Sequence, residues 1–191
     1  MDVSEAIGKR RTIRKFSAPP TEQQIERLLT AGAMAPSAMD RKAWFVVTVT
    51  DPDTREKLGD IKRNLNATFL PDTENGKALL QIQKNAFRNS STLMVYTYGP
   101  EPAQDHRFDL GSAWLFIGTV CLAAVDEGLG TQIFSYWGDA EKEVDRLLCV
   151  PETFRQVSGI NIGVPHPDFK VPPKVFKPKS NWIFREKWRV E

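Results

Sequence analysis

Histidine and cysteine are scarce in this chain, with two of each in 191 residues. His106 and His166 stand in no nucleophile or metal-ligand pattern, so surface or loop positions suit them. Cys121 and Cys149 lie far apart in apolar contexts, match neither CxxC nor a zinc spacing, and read as buried free thiols. An HExxH helix, a Walker loop and a GxGxxG turn after a strand are all missing, which sets aside zincin, P-loop and Rossmann enzymes. Net charge is small: 26 basic against 24 acidic side chains leave +2. That balance gives no support to a polyanion-binding or membrane-surface protein. The longest apolar stretch, residues 110–125, contains Gly111, Ser112, Gly118 and Thr119 and runs into Asp126-Glu127. It reads as too short to span a bilayer. The N-terminus begins acidic without an apolar h-region, so the expectation is no signal peptide and a reducing, cytoplasmic location.

What remains is an ordinary globular composition, 41% hydrophobic and 26% charged, in a length that suits one domain. Asp2 with Glu5, and Thr21 with Gln24, have capping-box spacing and open two helices. The first ends near Lys9 and Arg10, where cations suit the negative end of the dipole. The second ends at Pro36. Apolar runs at 44–49, 93–98, 132–137 and 157–162 read as strands, with Gly99 to Pro102 breaking the second. Helices are expected at 52–63, 77–87, 108–127 and 140–148, and a loop at 64–76. The 108–127 helix is apolar nearly all round and should be central and buried. Gly128-Leu129-Gly130 ends it as a C-cap. Beyond Pro165 the chain turns proline-rich, with seven basic residues between positions 170 and 189 and five large aromatics. So many aromatics suggest an arm packed on something, and the expectation is a partner subunit. The fold class is α+β: a central mixed or antiparallel sheet flanked by helices, one domain over 1–191, with 165–191 as an extended arm.

Two segments carry chemistry. Arg10-Arg11-Thr12-Ile13-Arg14-Lys15-Phe16 offers fork-shaped guanidinium donors and a hydroxyl, the groups a phosphate needs to replace its lost hydration. Taken alone, such a cluster reads equally as a solvated helix end. The second segment is Ala35-Pro36-Ser37-Ala38-Met39-Asp40-Arg41-Lys42-Ala43-Trp44. In this order, with Gly128-Leu129-Gly130-Thr131, Gly163-Val164-Pro165, the tail Pro172-Pro173-Lys174-Val175-Phe176-Lys177-Pro178 and the closing Glu186-Lys187-Trp188, they resemble the nitroreductase-like flavoprotein family.

The resemblance implies an FMN-dependent NAD(P)H oxidoreductase, using NADH or NADPH and reducing nitroaromatic, quinone or related electron-poor small molecules by ping-pong hydride transfer. It implies that Arg10, Thr12 and Arg14, with Arg11 beside them, hold the FMN phosphate and ribityl chain. Lys174 and Lys177 would complete that site from the tail. Pro36, Ser37 and Ala38 would lie along the isoalloxazine ring from the second subunit of an intertwined homodimer. Backbone groups around Phe134, Ser135 and Tyr136 would approach the reactive edge. No acid–base side chain is required, since the flavin carries the hydride chemistry.

Four positions depart from the family pattern. Asp40 stands where the family has an asparagine that hydrogen-bonds the ring, Lys42-Ala43 stands for Gln-Pro, and Phe176 stands for a basic residue. An ionised carboxylate cannot donate, and it repels an anionic reduced ring. Lys42 can offset this by pairing with Asp40 or with the flavin. Two alternatives stay open: a relative that binds flavin or another ligand without turnover, and a nucleic-acid binder using the basic tail, which the near-neutral charge disfavours.

Overall fold

The caps read from the sequence open the first two helices. Asp2 accepts the Glu5 N–H at 2.8 Å and opens α1 (Val3–Lys9). Thr21 and Gln24 exchange both capping-box bonds at the head of α2 (Glu22–Ala33). The computed structural model describes residues 1–99, 106–179 and 182–188. Between the two helices lies β1 (Phe16–Ala18), which the sequence marks only as extended chain before Pro19-Pro20. Then follow β2 (Phe45–Val49), α3 (Pro52–Ala67), α4 (Glu74–Asn85), β3 (Ser91–Tyr98), α5 (His106–Asp126), β4 (Gly130–Phe134), α6 (Asp139–Leu147) and β5 (Phe154–Pro165).

The strands form one five-stranded sheet in which every strand pairing is antiparallel. The long β5 is its axis, pairing with β3, β4 and β1. Along β3, Leu93 and Val95 face one side, and Met94 and Tyr96 face the other. Both sides are covered, so the period-2 alternation sorts two cores rather than core from solvent. On one side α2 and α5 pack Ile25, Leu28, Phe116, Ile117 and Val120 against Leu93, Val95, Ile160 and Ile162. On the other, Leu58 and Ile61 of α3 and Val144 of α6 meet Met94, Tyr96 and Phe134.

Several element bounds move. The expected 64–76 loop shrinks, because α3 continues to Ala67 and α4 starts at Glu74 behind the Thr73 cap. Helix α2 stops at Ala33, short of Pro36. Strand β4 starts and stops earlier than 132–137. Pro100 to Pro102 lie outside the described residues. Cys149 is exposed, against the expectation of two buried thiols, while Cys121 is buried.

Helix α5 brings the largest correction. Its 21 residues make it about 31 Å long, long and apolar enough to cross a bilayer by length and composition. Its inner face nevertheless belongs to the sheet core. Its outer face exposes Phe108, Leu110, Trp114 and Leu115, and Gly111 and Gly118 open onto empty space. The helix is apolar all round, yet only half of it is covered within one chain. The tail beyond Phe169 lacks regular structure over 170–178, and Val175, Phe176, Trp182 and Trp188 are exposed.

Candidate active site

The cationic segment is held against the sheet by one backbone contact and one glycine. Ile13 N–H donates to Thr131 O at 2.9 Å, and Thr12 forms an isolated parallel bridge with Thr131. A Cβ on Gly130 would sit 2.5 Å from Ile13 Cγ1 and 2.8 Å from Ile13 Cβ. Glycine is therefore what lets the segment approach β4. Gly128, at φ +71°, supplies the left-handed residue that ends α5 just before.

Here Arg10, Arg11, Thr12 and Arg14 form one wall of a cleft of about 560 Å³, and Pro172, Pro173, Lys174 and Phe176 of the tail form the other. The donors are unequally committed. Arg11 gives a guanidinium N–H to Pro172 O. The Lys174 ammonium donates to Ile7 O at 2.8 Å and Gly8 O at 2.9 Å, satisfying carbonyls at the end of α1. Both contacts tie the tail to the cluster. Arg10 and Arg14 form no ion pair among the described residues, so their charge stays available. Lys177 is exposed and outside the cleft walls.

Beside this cleft runs an edge of β4 that, among the described residues, pairs only through the Thr12–Thr131 bridge. Because Thr131 O receives Ile13, it points away from β5, and by period 2 the backbone groups of Ile133 and Ser135 point the same way. Phe134 O points inward and accepts from Ser158 Oγ at 2.7 Å. Carbonyl and amide oppose each other across a trans peptide, so the Ser135 N–H faces the open edge. From Thr131 to Ser135 is about 13 Å of extended chain. A cationic end and a backbone donor thus lie along one edge.

The next peptide is held from both sides. Ser135 O accepts from the Lys62 ammonium at 2.6 Å, and Tyr136 N–H donates to Gln156 Oε1 at 3.2 Å. The Tyr136 hydroxyl donates to Leu58 O at 2.7 Å, and burial raises its pKa well above the usual value. Lys62 is only 8% exposed. Its Nζ also lies 4.6 Å from the centre of the Trp137 ring, which in turn meets the exposed Phe69 at 5.6 Å between ring centres. Burial pushes the Lys62 ammonium down to about 8. The Ser135 carbonyl and the Trp137 ring both favour its charged form and oppose that shift. Lys62 and Gln156 carry no motif, and the sequence offered no signal for either.

The segment 36–42 is elsewhere. Met39, Asp40 and Lys42 all have φ near +50°, a conformation costly for residues with side chains. It persists because the turn is pinned to the start of α5. Ala38 N–H donates to Ser112 Oγ at 3.1 Å, Lys42 N–H donates to Ser37 Oγ at 3.1 Å, and Arg41 pairs with Asp109 at 3.0 Å. Asp109 is 1% exposed, and its Oδ1 has no partner. It lies in the first turn of α5, where a negative charge suits the helix dipole, and Arg41 is its counter-ion. Asp40 and Lys42 form an exposed ion pair with each other. Pro36, Ser37 and Ala38 therefore sit at the head of α5. Cys121, whose thiol pKa is raised by burial beside Thr131 and near Arg10, marks the other end. Ser112 and Cys121 are nine positions apart, about 14 Å along the helix. One chain gathers Arg10, Arg11, Thr12, Arg14 and Lys174 in one cleft, sets Ser135 about 13 Å along the adjoining edge, and holds the 36–42 turn, with Asp40 and Lys42, at the opposite end of α5 from Arg10.

Comparison with known proteins agrees with this architecture. An NADPH-flavin oxidoreductase of Vibrio harveyi is 28% identical over 172 residues, 90% of this chain and 69% of that protein. An iodotyrosine deiodinase of Thermotoga neapolitana is 26% identical over 187 residues, 93% of each chain. A solved nitroreductase with bound FMN from Desulfitobacterium hafniense shares the fold, with a TM-score of 0.75 at 20% identity over 98% of this chain and 100% of that one. Residues 7–164 match the Nitroreductase family itself, a span that runs from the cationic segment to the end of β5, and the chain belongs to that family.

Proposed function

We propose that the protein is an FMN-dependent NAD(P)H oxidoreductase that reduces electron-poor small molecules, such as nitroaromatics or quinones, with donor and acceptor alternating in one site. The observation that carries this reading is the pairing of an uncommitted Arg10/Arg14 cleft with the open β4 edge ending at the Ser135 N–H. Those groups fit FMN, a molecule with a phosphate at one end and a hydrogen-bonding ring at the other. Arg10, Arg11, Thr12 and Arg14 would hold the phosphate, and Ser135 N–H would face the ring. Lys174 acts by fixing the tail wall of the cleft, and Lys177 would approach from further along the arm. When bound, FMN supplies hydride transfer; the protein's part is binding, orientation and electrostatics.

The site is completed by a second copy. Pro36, Ser37, Ala38, Asp40 and Lys42 are at the head of α5, remote from their own chain's cleft. The exposed face of α5 carries Phe108, Trp114 and Leu115 with Gly111 and Gly118, a surface on which an identical helix can pack closely. A homodimer about that face would carry each 36–42 turn to its partner's ring site, with the 165–191 arm wrapped over the neighbour. The Asp40–Lys42 pair lowers the repulsion a bare carboxylate would exert, which favours turnover over a ligand-holding relative.

The test is the visible spectrum of the purified protein, with the released chromophore identified by mass. A yellow protein carrying FMN is expected, and Arg10→Ala with Arg14→Ala should release the flavin while leaving thermal stability nearly unchanged. A wild-type protein that refuses added FMN, or a double variant that keeps it, would overturn the assignment.

A further inference from the structure

Lys62 is a buried ammonium without a carboxylate partner among the described residues. Placing a charge inside α3 costs stability, and an apolar side chain of similar length would fill the same space more cheaply. What Lys62 does with its charge is specific. It reaches from α3 to Ser135 O, on the outward side of β4, the side along which the cleft and the open edge run. Gln156 Oε1 takes the opposite end of the same peptide through Tyr136 N–H. With Phe134 O fixed by Ser158, two successive peptides at the end of β4 are held in single orientations. The Trp137 ring then lies against the ammonium, continuing the clamp into the following residue.

We infer that Lys62 is a positioning residue for the flavin edge: its ammonium fixes the Ser135–Tyr136 peptide so that the Ser135 N–H is presented to the ring, and it places a positive charge beside the reduced, anionic form. This rests on the FMN reading above. Two consequences separate it from a merely structural lysine. The charge should raise the reduction potential of bound flavin, because it favours the reduced form electrostatically. The clamp should exist before any flavin binds, because both of its hydrogen bonds are internal to the chain. The Asp40–Lys42 ion pair is close to neutral, so in the homodimer proposed above it would leave the fixed charge of Lys62 uncancelled.

The experiment compares wild type with Lys62→Met, Lys62→Gln and Lys62→Arg, each reconstituted with FMN and measured for flavin stoichiometry and midpoint potential. Lys62→Met and Lys62→Gln should retain flavin and shift the two-electron equilibrium toward the oxidised form by about tenfold, about 30 mV. Lys62→Arg should recover most of the shift. In protein stripped of FMN, hydrogen exchange over 133–138 should quicken about tenfold in Lys62→Met and stay slow in Lys62→Arg. A wild type that binds no FMN overturns the cofactor reading, and this inference with it. A wild type that binds FMN, with unchanged potential in folded Lys62→Met or Lys62→Gln, overturns this inference alone. Unchanged exchange in the flavin-free Lys62→Met protein overturns the clamp.

Discussion

Removing the Arg41 guanidinium should destabilise the protein strongly. Asp109 is 1% exposed on α5, holds Arg41 at 3.0 Å and leaves Oδ1 unpartnered. Arg41→Ala strands a buried carboxylate. Breaking a buried pair from one side costs about 3–5 kcal/mol. For a chain of 191 residues this corresponds to a fall in Tm of about 7–12 °C. Chemical denaturation of wild type, Arg41→Ala, Asp109→Asn and the double variant measures this. The double variant should recover much of what Arg41→Ala loses, because no charge is left stranded. A loss below about 1 kcal/mol, or a double variant no more stable than Arg41→Ala, would refute the anchoring role of the pair. The strained 36–42 turn would then need another cause.

Further outcomes follow from other contacts. Gly130→Ala should push Ile13 away from β4, costing about 1–3 kcal/mol and weakening FMN binding at least about tenfold; unchanged affinity in a fluorescence titration would uncouple the cationic segment from β4. Asp40→Asn should raise NAD(P)H-dependent turnover with FMN bound and leave stability within about 0.5 kcal/mol, since the pair it breaks is exposed; no gain in turnover counts against the carboxylate as a restraint. Lys62 gives the pH prediction. Burial lowers its folded-state value from 10.5 to about 8, so the unfolded chain binds more protons between those limits. Its penalty is therefore complete below about pH 8 and fades toward pH 10.5. The stability gap between wild type and Lys62→Met should move in favour of wild type by up to about 3 kcal/mol across that window. A gap independent of pH would show that the two contacts of the ammonium cancel its burial.

Local chemistry made much of the molecule legible in advance. The Asp2 and Thr21 caps, the αL stop at Gly128 and the β-branched runs of β2 and β3 are decided by neighbours in sequence, and they occur where those residues demand. The clustering of Arg10, Arg11 and Arg14 along one cleft wall has the same local origin, because the three lie in one short stretch of chain. The 64–76 region misled because its Asn, Thr and Gly residues favour loops only weakly. Packing of Leu58, Ile61 and Leu65 beneath the sheet carried α3 past them.

What tertiary structure alone decided lies between elements distant in the chain. Lys62 and Ser135 are 73 positions apart, Arg41 and Asp109 are 68, and Tyr136 and Gln156 are 20. No periodicity or cap records such pairs, because each forms only once the sheet has set the height and direction of its strands. The apolar face of α5 shows the same division. Its composition marked the helix as apolar nearly all round, and the sequence by itself determined that much. Only the fold showed which side the sheet covers and which it leaves exposed, because that depends on where α2 and β5 lie.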